Sequence, residues 1–110
     1  MTNRMVTVSF RYDLPPERFD AENGPAIAER VASFPGLLWK LWLFSPEDRR
    51  CQGVYRFATE DAARAYADGP VVRHLREADG YGDVEVQVWS VLEENSRITR
   101  APGLEEAVPA

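Results

Sequence analysis

The stretch PGLLWKLWLF, residues 35–44, decides how this chain folds. Pro35 and Gly36 end any helix that reaches them, because proline lacks an amide donor and glycine holds no preference for the helical well. Residues 37–44 follow with seven large apolar side chains in eight positions. A run of that length and composition fits a strand covered on both faces. Lys40 interrupts it at mid-strand. Strand alternation makes Leu38 and Trp42 its same-face neighbours and sends Trp39 and Leu41 to the other face.

The flanking sequence supplies partners for that strand. Residues 45–50 form a polar turn and residues 53–57 (GVYRF) the next strand, so short a connection that it predicts an antiparallel hairpin. Upstream, residues 5–12 (MVTVSFRY) alternate Val6, Val8, Phe10 and Tyr12 with Thr7, Ser9 and Arg11, as a strand with one buried face does. Residues 17–34 carry Ile27, Ala28, Val31 and Ala32 at helical spacing. Pro25 either opens that helix, with Asn23 or Gly24 as cap, or kinks an earlier turn. Downstream, Thr59 reads as an N-cap followed by Glu60 and Asp61, where the helix dipole favours acids. That helix runs to about Asp68; Gly69 and Pro70 stop it and start a short second one that ends near Gly80. Residues 83–91 alternate Val84, Val86 and Val88 with Glu85, Gln87 and Trp89, as the last strand.

The order β-α-β-β-α-β predicts an α+β, ferredoxin-like fold with a four-stranded antiparallel sheet. Helices cover one sheet face. The other face is apolar, and a second copy in a two-fold pair covers it most simply, giving a homodimer in the form of a dimeric α+β barrel. The barrel domain spans residues 1–94, and residues 95–110 form a polar C-terminal tail, either disordered or an arm laid on a partner.

Composition narrows the function. A chain of 110 residues holds one domain, and a small domain gains from a partner subunit. The net charge of −5 disfavours nucleic acid and anionic membrane as partners, since both demand a basic face. No apolar run approaches the roughly 18 residues of a membrane helix, and no signal peptide core is evident, so a cytoplasmic location is expected. One cysteine, Cys51, placed in the turn, excludes an internal disulfide. One histidine and one cysteine offer no metal-ligand cluster, and no glycine-rich phosphate motif is present, so no metal and no cofactor are expected.

The strings Pro35-Gly36-Leu37-Leu38-Trp39-Lys40-Leu41-Trp42, Gly53-Val54-Tyr55-Arg56-Phe57 and the segment from Ala62 to Tyr66 resemble the YdhR-like monooxygenase family. Its members are small dimeric α+β-barrel proteins, related to the antibiotic-biosynthesis monooxygenase superfamily. The resemblance covers residues 5–100. It departs in the longer connection over residues 68–82 and in the tail beyond Arg100. It implies oxidation of electron-rich aromatic substrates, often polyketide phenols, without flavin or metal. Other barrels of the superfamily are isomerases, cyclases or heme-handling proteins, and fold alone does not choose among them.

Lys40 stands first among candidate catalytic residues. An amine among aromatic and apolar side chains is desolvated, which lowers its pKa and makes it a base toward a phenol or a cation beside a phenolate. The alternative is a lysine that reaches the sheet edge or pairs with Glu85. Tyr55, which resembles the family's tyrosine, offers a hydroxyl to a substrate oxygen; otherwise it is a core tyrosine with a satisfied hydroxyl. His74, the sole histidine, suits proton transfer near neutral pH or else sits at the surface. Tyr12, Trp39, Trp42 and Phe57 are the candidate substrate-binding aromatics, with plain core packing as the alternative. The leading expectation is a cofactor-independent monooxygenase for a small aromatic or polyketide-like substrate. A cofactor-free isomerase or cyclase in the same pocket and a non-catalytic ligand-binding protein remain as alternatives.

Overall fold

Each predicted break in the chain becomes a boundary between elements. The computed structural model describes residues 3–103. In chain order these form β1 (Asn3–Tyr12), α1 (Pro16–Asn23), α2 (Pro25–Ala32), β2 (Leu37–Ser45), β3 (Arg50–Phe57), α3 (Glu60–Ala67), α4 (Pro70–Glu77), β4 (Tyr81–Ser90) and α5 (Glu93–Ile98). No helix among the described residues is long and apolar enough to cross a membrane.

The two helical regions each split at a Gly-Pro pair, and for the same reason. Pro25 and Pro70 occupy the first turn of α2 and α4, where a missing amide hydrogen costs nothing, and the preceding Gly24 and Gly69 are extended caps. A Cβ on Gly24 would lie 2.5 Å from the Asp20 carbonyl oxygen, and one on Gly69 2.6 Å from that of Ala65. Asn23 closes α1 by donating its side-chain amide to the Phe19 carbonyl at 3.1 Å. The Thr59 hydroxyl caps α3 by accepting from the Ala62 amide at 3.1 Å.

The four strands form one antiparallel sheet in the order β2-β3-β1-β4. The expected α+β, ferredoxin-like architecture is therefore the observed one. The strands are longer than the sequence predicted. β3 starts at Arg50, so Cys51 belongs to the ladder opposite Phe10 and Phe44 and not to the turn; β4 starts at Tyr81, opposite Tyr12. Polar residues at these strand starts hid the pairing, because backbone hydrogen bonds extend a ladder past its apolar stretch.

One sheet face carries Val6, Val8, Phe10, Tyr55 and Phe57, and packs with Ala63, Tyr66 and Val72 of the helices as the core. Val6, Val8, Phe57 and Tyr66 are fully enclosed, worth about 1.5–3 kcal/mol each for the larger apolar side chains. The opposite, outer face carries Thr7, Val54, Arg56, Trp39, Leu41, Leu43 and Trp89.

The stretch from Leu37 to Phe44 is not doubly covered by the described residues of one chain. β2 is an edge strand, and Leu38, Leu41, Leu43 and Phe44 are 49–59% exposed. The short helix α5 runs across residue 94 into the expected tail, and the chain then returns over the outer face. A Cβ on Gly103 would stand 3.4 Å from Arg56 Nε and 3.8 Å from Trp39 Nε1. Residues 104–110 of the expected tail lie outside the described residues.

Gly36 fixes where α3 docks. Its φ is 82°, its carbonyl accepts from the Ala58 amide at 2.8 Å, and a Cβ there would stand 2.6 Å from Ala62 Cβ. Gly36→Ala is expected to lower the unfolding free energy by about 1–3 kcal/mol, read as an earlier urea midpoint at unchanged slope. An unmoved midpoint would contradict this close approach.

Candidate active site

A cleft of about 740 Å³ opens between the inner sheet face and the helices. Its size suits a small-molecule ligand, and its lining is mainly apolar and aromatic. The floor is built by alternation along two strands. β2 turns Lys40, Trp42 and Phe44 inward, and β3 turns Cys51, Gly53 and Tyr55 beside them. Phe19 and Glu22 of α1, Tyr66 of α3 and His74 of α4 contribute to the opposite wall, with Phe34 just after α2.

Lys40 is the most unusual group in this cleft. Its ammonium lies 3.3 Å from the centroid of the Trp42 ring and 4.6 Å from that of Tyr55. Burial pulls its pKa from 10.5 to about 7. The two ring faces oppose that pull, since a π-face favours the cation. The side chain reaches this position because β3 has no side chain at Gly53. A Cβ there would meet Lys40 Cε at 2.9 Å and the Tyr55 ring at 2.7 Å. Cys51 lies within electrostatic reach of Lys40; burial nevertheless holds its thiol above the ordinary value, so it is a poor nucleophile.

Two hydroxyl constellations complete the polar lining. Tyr66 donates its hydroxyl to the Tyr55 oxygen at 2.8 Å, with the ring centroids 4.5 Å apart. Burial holds both phenols above their ordinary pKa, so each acts as a neutral donor or acceptor near pH 7. The second constellation joins Tyr81 to Glu22 at 2.9 Å, and Arg18 also donates to Glu22 at 2.9 Å. Burial alone would raise the Glu22 carboxyl, but the hydrogen bonds from Tyr81 and Arg18 and the charges of Arg18 and His74 outweigh it and leave it lowered. Among the described residues no cluster of three His, Cys, Asp or Glu side chains could hold a metal ion.

The structure thus brings Lys40, Tyr55, Trp42 and His74 around one cleft. Tyr12, Trp39 and Phe57 lie elsewhere. Tyr12 is buried under Phe19, ring centroids 4.5 Å apart, and Arg49 covers it at 5.6 Å. Phe57 is enclosed in the core among Phe34, Tyr55 and Tyr66. Trp39 is on the outer face, opposite Arg56, and its indole nitrogen is buried with no hydrogen-bond partner among the described residues. Lys40 does not meet Glu85, which sits on the outer face opposite Ser9.

Some lining residues escape sequence reasoning. Gly53 carries a signal, because a glycine inside a strand marks a close approach. Tyr66 also carries one, three residues after Ala63 on the inward stripe of α3. The Glu22–Tyr81 pair, 59 residues apart, carries none.

Solved structures with this architecture include a mutant of SnoaB, a cofactor-independent oxygenase from Streptomyces nogalater. It aligns with a TM-score of 0.60 at 17% identity, over 83% of this chain and 95% of that one. A "putative antibiotic biosynthesis monooxygenase" from Bacteroides thetaiotaomicron aligns with a TM-score of 0.51 at 21% identity, over 82% and 90% of the two chains. MhuD, a heme-degrader from Mycobacterium tuberculosis with two hemes bound in its active site, aligns with a TM-score of 0.51 at 20% identity, over 79% and 95%. At these identities the likeness shows a shared fold. No curated protein matches the chain significantly. The family model described as "Putative mono-oxygenase ydhR" matches residues 5–102, a span that takes in the sheet from Met5 onward and all the helices around the Lys40 cleft, and the chain belongs to that family.

Proposed function

We propose that this chain is a cofactor-independent monooxygenase for a small aromatic or polyketide-like substrate, acting as a cytoplasmic homodimer. The observation that carries the reading is the Lys40 amine, largely buried and held between two ring faces inside an apolar cleft. Membership of a mono-oxygenase family supports it.

Oxygen reacts slowly with closed-shell molecules, and without flavin or metal the substrate itself must supply the electrons. A phenol does so only as its anion. Neutral Lys40 takes the hydroxyl proton and becomes an ammonium over Trp42 and Tyr55, where it stabilises the phenolate. The phenolate passes one electron to oxygen, and the two radicals combine at a ring carbon as a peroxide. Lys40 returns its proton to the distal peroxide oxygen. Loss of the ring C–H proton then expels hydroxide, which together form water and leave a quinone carbonyl. Phenol and oxygen thus give quinone and water, with one oxygen atom in each product. The Tyr55 hydroxyl, accepting from Tyr66, keeps its own proton for a substrate oxygen. The apolar walls limit water around the reactive intermediate.

The second copy is proposed for the outer face. Leu41, Leu43 and Trp89 are each about half exposed there, in a patch that the described residues of one chain leave open to solvent. Covering it would also give the stretch from Leu37 to Phe44 its second neighbour. Sedimentation should give a dimer at micromolar concentration; a monomer would contradict this arrangement.

Oxygen uptake with a panel of electron-rich naphthols tests the reaction. Uptake should match quinone formed one to one, and turnover in strictly anaerobic buffer would overturn the oxygenase reading in favour of isomerisation or cyclisation. With Lys40 as base, kcat/KM should rise with pH and level off above about 7; a profile that levels only near 10 would exclude Lys40.

Lys40→Met should cost about 10²–10⁴ in kcat. The same change should stabilise the fold near neutral pH by on the order of 1 kcal/mol, because an apolar side chain replaces a poorly solvated charge. The sign follows from proton binding. Between about 7, the folded value, and 10.5, the unfolded chain holds one more proton at this site than the folded one. Wild-type stability therefore gains on the variant as pH rises through that window, and the variant's advantage is full only below it. A variant both inactive and less stable at pH 7 would point to a packing role for Lys40.

A further inference from the structure

We infer that the cleft is also a covalent capture site for aryl aldehydes and aryl ketones, with Lys40 forming the imine. This goes beyond proton transfer to a phenol and needs no oxygen.

The chain contains twelve arginines and one lysine. Every other basic side chain except His74 is a guanidinium, which stays protonated and cannot attack a carbonyl near neutral pH. The one primary amine among the side chains faces the cleft. All five ion pairs among the described residues use arginine, and none holds Lys40 in its protonated form through a carboxylate. A desolvated lysine without an acidic partner is the arrangement that makes an amine nucleophilic. Its lowered pKa, from burial, agrees with that geometry.

The surroundings suit each stage. The neutral amine adds to the carbonyl carbon, and a proton passes from nitrogen to oxygen to give a carbinolamine. Tyr55, whose ring is 4.6 Å from the amine and whose oxygen already accepts from Tyr66, can donate to the departing hydroxyl and recover the proton from nitrogen. Aldehyde and amine thus give imine and water. When protonated, the iminium carries its charge where the ammonium did, against Trp42 and Tyr55. An aryl group on the carbonyl would lie along the cleft, among side chains such as Phe19, Phe34 and Phe44.

The test is reductive trapping of the whole chain with 1-naphthaldehyde and sodium cyanoborohydride in anaerobic buffer at pH 7, read by intact mass and peptide mapping. Hydride reduces the imine to a secondary amine and fixes one naphthylmethyl group. Lys40 should label about 30-fold faster than free Nα-acetyl-lysine. That is an about thousandfold gain in neutral amine, offset by the weaker nucleophilicity of a low-pKa amine. The advantage should vanish when the chain is unfolded in urea. Lys40 labelling no faster than the free amino acid, labelling confined to the terminal amine, or a rate unchanged by unfolding would each overturn the proposal. Because the readout is a mass gained without oxygen, failure here leaves the oxygenase reading standing, and failure of naphthol oxidation leaves this one standing.

Discussion

The site depends on how a single amine is accommodated in an apolar cleft. Water would solvate the Lys40 ammonium far better than Trp42 and Tyr55 do, so burial favours the neutral form. The ring faces recover part of the lost solvation, which keeps both protonation states within reach near neutrality. The fold supplies the place for this compromise through an absence. Gly53 contributes no side chain, and the aliphatic stem of Lys40 crosses the space that a Cβ would fill. The same gap sets the stem against the Tyr55 ring. Architecture and chemistry meet at this one strand pairing, Trp42 opposite Gly53 and Lys40 opposite Tyr55.

The surrounding structure holds that pairing in place. The Tyr55 ring is locked by Phe57 and Tyr66 in the core, and its hydroxyl by Tyr66. α3 brings Tyr66 there because Gly36 lets Ala62 approach the start of β2. At the other side of the cleft, α1 and β4 are joined through Glu22 and Tyr81. The cleft therefore has a polar group tied at each wall and ring faces between them, an arrangement that can orient a planar molecule by stacking and one or two hydrogen bonds.

Much of the fold was legible in the sequence, and for identifiable reasons. The alternation of Val6, Val8, Phe10 and Tyr12, the breaks at Gly24-Pro25 and Gly69-Pro70, and the cap at Thr59 are local signals, and local signals survive in a single chain. The strand starts at Arg50 and Tyr81 carry no such signal, because pairing there depends on the partner strand and not on side-chain pattern. The site was legible in part. Alternation correctly separates Trp39 from Trp42, but which of them faces the helices depends on the pairing with β3, which sets Lys40 against Tyr55. Tyr12 and Phe57 share the inner face with Tyr55, yet Phe19 and the helices close over them, and no sequence pattern reports where helices leave a gap. Helix α5 and the return of the chain over Arg56 were hidden by a polar segment without strong periodicity.

The chemistry proposed for the cleft requires Lys40 to exchange its proton near neutral pH. Because it is the only lysine, isotopic labelling of lysine at Cε gives one side-chain signal, whose chemical shift can be followed by NMR from pH 5 to 11, conditions set by the roughly 10.4 of an ordinary lysine. A midpoint near 7 is the predicted result. A midpoint at the ordinary lysine value in the folded protein would rule out that exchange, because the amine would then be a solvated cation at every physiological pH.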